Sequence, residues 1–356
     1  MKPLKTVFLV LGILLLISLI PIGLNQLNTN FDSLNDTDRA ILTEWNTYIA
    51  AEKESQIWEG YSLADKPILA LNGTFGKAFL INPGTNVRSI FAKEIKMPQD
   101  FSIKVYRISV LAPQLLQFII AGNFNTIDKT YSVFGNEVYF TKYNDASVEK
   151  KQSSGHYITF LTHEAFHYYM QNDWPDAGRF DTALLTDRDL DLMEELYAVY
   201  ARIYDELNTG KPGRDKLITL AREYVAVMEK RQQLNPGYVR KESLSETVEG
   251  TATYVSLHAS EAVGYDFKIM HFLDEKLSKD VLVWPFDTVV PLIKEGKVEK
   301  STIASDWIYQ TGALLCELIN KLEIPHWQQT LNQQTADSPV TLHSILADFV
   351  KSLPAS

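Results

Sequence analysis

Tyr157-Ile-Thr-Phe-Leu-Thr-His-Glu-Ala-Phe-His-Tyr-Tyr-Met-Gln171 is the stretch around which the rest of the chain is read. No Pro or Gly interrupts Tyr157 to Asn172, and Ile158, Leu161, Ala165 and Phe166 supply one apolar side, so the pattern predicts a helix. Within it, His163-Glu-Ala-Phe-His167 sets two histidines at i and i+4. On a helix these positions lie about 40° apart around the axis, so both imidazoles face one point. A chain with 7 His and 44 acidic residues among 356 would supply His-acid-x-x-His by accident only about 0.017 times. A surface helix whose histidines merely hydrogen-bond leaves that spacing unexplained.

Beyond this helix the periodicity stays helical. Asp187 to Leu207 carries Leu192, Leu196, Val199, Ile203 and Leu207 at helical spacing, with Gly210 as a stop. Arg214 to Leu234 and Tyr238 to Ala259 read as two more helices, separated by Asn235-Pro-Gly237, and a shorter helical remainder follows Trp284-Pro285. On the N-terminal side a helix is expected over Asp38 to Glu54. Strands are expected at Ile68–Leu71, Ala78–Ile81, Ile103–Val110 and Glu137–Tyr143, bounded by Asn72-Gly73, Pro83-Gly84 and Gly135-Asn136. The last of these strands is read as an exposed sheet edge on which an extended peptide could add. The outline is α+β: residues 38–150 form a mixed α/β part with that edge strand, and residues 151–356 a mainly helical part.

Two imidazoles on one helix face suit zinc, and an adjacent carboxylate such as Glu164 is placed to take a proton from a water that the metal acidifies. A catalytic zinc site needs a third protein ligand. The glycine and third histidine of the three-histidine zinc proteases are replaced here by Met170 and Asp173, so a carboxylate is expected instead. Glu249, in Glu246-Thr-Val-Glu-Gly-Thr-Ala-Thr-Tyr254, is the first candidate. Glu242, Glu246 and Glu249 share one helix face and repel one another unless a cation compensates, and Gly250, Thr251 and Ala252 permit close helix approach. Glu246 and the Glu194/Glu195 pair are the alternatives, the pair also as partners for a histidine N–H. Tyr309, in Tyr309-Gln-Thr-Gly312, is the candidate oxyanion donor. Tyr254 is expected to point away, about 140° around the helix from Glu249.

Taken together, these residues resemble the gluzincin metallopeptidases, in which H-E-x-x-H is paired with a glutamate on a later helix. Glu249-Gly-Thr-Ala-Thr-Tyr254 is similar to their E-G-x-A-x-Y glutamate helix, His163–Gln171 to their active-site helix, and Tyr309–Leu315 to a recurring Tyr-x-Thr/Ser-Gly segment. The resemblance covers roughly Glu137 to Leu331, although the 82 residues from His167 to Glu249 exceed the usual gap. It implies a zincin-like fold with zinc on His163, His167 and Glu249. It also implies Glu164 as general base and a peptide or protein substrate. The alternatives are a zinc amidase acting on cell-wall peptides, and a non-catalytic extracellular binding protein stabilised by zinc.

Composition bounds the remaining classes. The net charge of -10 argues against a nucleic-acid partner. The one cysteine, Cys316, lies in an apolar helical run without a Cys/His signature and reads as a core residue. At the N-terminus, Lys2 and Lys5 precede Val7 to Leu24, almost unbroken hydrophobic sequence without an Ala-x-Ala-like site. Residues 1–25 are therefore read as a single transmembrane helix acting as an uncleaved signal-anchor, with a cleaved signal as the alternative. Residues 26–37 are read as a linker. This places the membrane along residues 7–24 and the rest of the chain outside the cell membrane.

Overall fold

The computed structural model describes residues 20–27, 29–73, 77–149, 154–175, 178, 180–265, 269 and 285–354. By contacts the chain forms two compact units, Met1–Tyr168 with Ala262–Gly264, and Tyr169–Glu261 with Tyr265–Ser356.

The first unit is built on a six-stranded half-barrel sheet in the order β3-β4-β2-β1-β6-β5. Its strands are β1 (Ile68–Asn72), β2 (Ala78–Ile81), β3 (Ala92–Glu94), β4 (Val105–Ile108), β5 (Tyr131–Val133) and β6 (Asn136–Tyr143). β1 pairs in parallel with β6, Ile68 opposite Tyr139, and the other neighbours are antiparallel. β1 and β2 are buried along their whole length, which is why they read as continuous apolar runs and not as alternation. Alternate residues divide the two faces. Leu69, Leu71, Leu80, Ile108, Val138 and Phe140 join one core cluster, which Leu115 and Phe118 of a 3-10 turn over Pro113–Phe118 complete.

Among the described residues this unit contains α1 over residues 20–27, α2 (Asp36–Glu54) and a single turn, α3 (Ala146–Glu149). α2 starts two residues earlier than its apolar periodicity indicates, because the Asn35 side chain accepts from the Asp38 amide and caps it. Its apolar stripe, including Ile41, Trp45 and Ile49, is buried, and Tyr143 Oη donates to buried Asp38 at 2.6 Å. α4 (Tyr157–Met170) also begins here. It is held by edge-on aromatic contacts of Tyr157 with Tyr143, Tyr168 with Tyr139, and Phe166 with Trp58 and Tyr61.

Two expectations are corrected. The zincin-like layout preceded by one transmembrane helix gives way to a mixed helix-and-strand chain on a half-barrel sheet. No helix among the described residues is long and apolar enough to cross a membrane. Residues 1–19 of the expected span lie outside the described residues. Residues 20–27 form a helix fastened to the sheet by Asn25, which donates to the carbonyls of Phe91 and Arg107 and accepts from Arg107 Nε at 2.8 Å. The second correction concerns β6, which is not an edge. β1 lies on one side of it, β5 on the other, and beyond β5 the Asn125 side chain and the Asn123 carbonyl accept from the amides of Phe140 and Lys142. Backbone groups taken for a free edge are thus already paired.

The second unit is helical: α5 (Asp187–Leu207), α6 (Arg214–Leu234), α7 (Pro236–Ala262), α8 (Phe286–Lys294), α9 (Ile308–Lys321), α10 (Trp327–Asn332) and α11 (Leu342–Ser352). A capping box between Thr186 and Asp189 opens α5. Tyr197, Tyr200, Phe286 and Trp307 form its aromatic centre. α7 and α9 run parallel, since Gly312 meets Gly250 and, further along both helices, His258 Nε2 lies 2.8 Å from Glu317.

Candidate metal centre

The apolar residues of α4 that the sequence puts on one side, Ile158, Leu161, Ala165 and Phe166, are fully buried. This fixes the rotation of the helix and leaves His163, Glu164 and His167 half-buried. The Nε2 atoms of His163 and His167 are 3.1 Å apart. Donors about 2.1 Å from a tetrahedral zinc stand about 3.4 Å from each other, so the two nitrogens are within a few tenths of an ångström of the separation that a shared ion sets.

The candidate carboxylates are distinguished by the partners each already has. Glu194 receives Lys294 Nζ at 2.8 Å, and Glu195 receives Lys230 Nζ at 2.8 Å. On α7, buried Glu242 pairs with buried Arg231 at 2.6 Å, and this pair supplies part of the positive charge that the acidic face requires. Glu246 is buried and accepts from Tyr200 Oη at 3.0 Å. Burial pushes its carboxyl up to about 7, against hydrogen bonding from Thr311 that favours the anion. A carboxylate that holds its proton near neutrality is a poor metal ligand.

Glu249 is grouped differently. One ligand atom each from His163, His167 and Glu249 lie within 4.8 Å of one another, and among the described residues this is the group of His, Cys, Asp or Glu able to hold an ion. Two imidazole nitrogens and one carboxylate oxygen form a donor set that zinc accepts with a coordination position left over.

The backbone around Glu249 is held by its neighbours. Gln171 donates to the Val248 carbonyl at 2.9 Å and to Thr251 Oγ1 at 2.8 Å. The sequence reading overlooked this residue, although its position, four beyond His167, continues the spacing of the two histidines. Gly250 and Gly312 bring α7 and α9 to backbone contact. Tyr309 is half-buried, one turn ahead of Gly312 on α9. Tyr254 packs edge-on against Trp327 and His258. Cys316 is fully buried, and burial pushes its thiol well up, which leaves it inert.

No known family model, curated protein or solved structure matches the chain.

Proposed function

We propose that this chain hydrolyses peptide bonds as a zinc enzyme with a gluzincin-type ligand set: His163, His167 and Glu249 hold the metal and Glu164 is the general base. The convergence of those three donor atoms, with a half-buried carboxylate next to the first histidine, carries the reading. When bound, zinc supplies a Lewis acid that polarises water and the scissile carbonyl. Glu164 takes the proton from the attacking water and delivers it to the leaving amine. Negative charge that develops on the carbonyl oxygen calls for a further donor, and Tyr309 is the residue proposed for it. Gln171 positions the Val248–Thr251 backbone and thereby Glu249.

Glu164→Gln separates an enzyme from a protein that keeps zinc for stability. The variant is expected to bind zinc as the natural chain does and to lose at least about a thousandfold in turnover of a mixed peptide library. Equal turnover in both proteins would overturn the assignment of the base.

A further inference from the structure

A second part of the chain carries unburied apolar surface unrelated to the metal centre. Ile108 to Ile127 contains no charged residue. Its 3-10 turn explains how it is divided: positions i and i+3 fall on one side of such a helix. Leu115 and Phe118 face the core, whereas Leu116 and Ile119 stand opposite, 63% and 73% exposed, followed by Ile120 at 92%. The polar groups nearby are turned away. Gln117 Nε2 is folded back onto the carbonyls of Gln114 and Ser132, and Lys142 Nζ reaches under the run to the Ala121 carbonyl at 2.8 Å.

α1 adds to the same margin. Besides the Asn25 bonds, Gln26 donates to the Ile90 carbonyl at 2.9 Å, and Phe91, whose carbonyl takes the Ser109 amide, packs on the cluster that holds Leu115 and Phe118. Leu24 and Leu27 of α1 are 56% and 76% exposed. Two runs far apart in sequence, α1 and the segment that follows β4, are thus tied to the same β3–β4 pair, and α1 belongs to a stretch that is uncharged from Thr6 to Phe31. Among the described residues every exposed large hydrophobic side chain is Ile, Leu or Val, and ten of the twelve belong to α1, Ile90 or residues 110–127.

We propose that this surface is a lipid-contact face, which seats the aliphatic side chains of residues 110–120 and α1 at the headgroup–acyl boundary of a bilayer. Contiguous exposed apolar patches mark interaction sites. Protein partners are gripped mainly by Trp, Tyr and Arg anchors, and none of the protruding hydrophobics here is aromatic. Aliphatic side chains on an uncharged stretch, beside a helix that continues the apolar sequence from Val7, suit the headgroup–acyl boundary. This inference does not rest on the hydrolytic reading.

The test uses the full chain and vesicles of phosphatidylcholine with phosphatidylglycerol. Because Cys316 is fully buried, Ile120→Cys accepts a polarity-sensitive fluorophore selectively, and Lys53→Cys, at an exposed position of α2, is the control. On adding vesicles, the label at position 120 is expected to shift to the blue and to be quenched at least about fivefold more strongly by brominated acyl chains than the label at position 53. Ile119→Asp with Ile120→Asp, both at exposed positions, is expected to lower vesicle partitioning at least about tenfold. A vesicle-bound chain whose position-120 label stays in water would overturn the proposal. So would a label already shifted without lipid, which would show the chain's own residues 7–19 on the face, or a shift that follows protein concentration alone, which would show a second copy.

Discussion

Substituting Gly250 by alanine tests how closely the helix that carries Glu249 is packed. A Cβ at this position would lie 2.5 Å from the carbonyl carbon of Gly312 and 3.0 Å from the nitrogen of Ala313, and nearer still to the Gly312 Cα. Carbon atoms rest about 3.5–4.0 Å apart, so α7 and α9 must separate by about 1 Å or more. A gap of that size forfeits a quarter to a half of each contact across the seam. Against this stands about 1 kcal/mol gained from alanine's better helix propensity. The net expectation is a loss of about 2–4 kcal/mol, or about 5–15 °C in Tm for a unit of this size. Urea unfolding followed by far-UV circular dichroism measures it. Gly237→Ala in the same helix is the control, since a Cβ there meets nothing within 4 Å and stability should hold or rise slightly. A Gly250→Ala protein as stable as the natural one would refute the close crossing and the register it gives Glu249.

Two further outcomes follow from single side chains. His343 stands edge-on to Tyr224, and burial, reinforced by Lys351 and Arg231, lowers its pKa to about 4. Its folded pKa is below the unfolded value near 6.5, so stability from the neutral ring is complete above about pH 6.5 and is lost as pH falls towards 4. His343→Phe should remove up to about 3 kcal/mol of that acid-side loss, read from unfolding curves at pH 4.5 and 7.5; parallel curves would contradict it. Tyr309→Phe should lower kcat about a hundredfold while KM and zinc content stay put, and a kcat within a few-fold of the natural chain would reduce Tyr309 to packing.

Much of the local structure is legible in the sequence because it is set by neighbours in the chain. The apolar spacing of Leu192 to Leu207 gives the bounds of α5, and Arg214–Leu234 is α6. Pro236 misleads: read as part of a turn, it opens α7, where its missing N–H and fixed φ suit the first helical position. Gly250 and Gly312 mark a close approach from sequence alone, but that they meet each other is a tertiary fact. β3 and β5, three residues each, are too short to show a period, and the parallel pairing of β1 with β6 joins segments far apart in the chain. The glutamates show the same limit at the site. Their spacing groups Glu242, Glu246 and Glu249, whereas the partners that separate them, Arg231 on α6 and Tyr200 on α5, come from other helices. Of the apolar N-terminal run only residues 20–24 are described, and directly after them the amides of Asn25 and Gln26 fasten the helix to β4 and β3, contacts that hydropathy does not report.

The most direct test is zinc stoichiometry of the full chain measured alongside turnover of a peptide library, before chelation, after it, and after restoring one equivalent of zinc. The account predicts one zinc per chain, hydrolysis that disappears and returns with the metal, and zinc lost from His163→Ala, His167→Ala and Glu249→Ala but largely kept in Glu194→Ala. Full zinc occupancy in the histidine variants, or peptide hydrolysis that continues after the metal is gone, would contradict it.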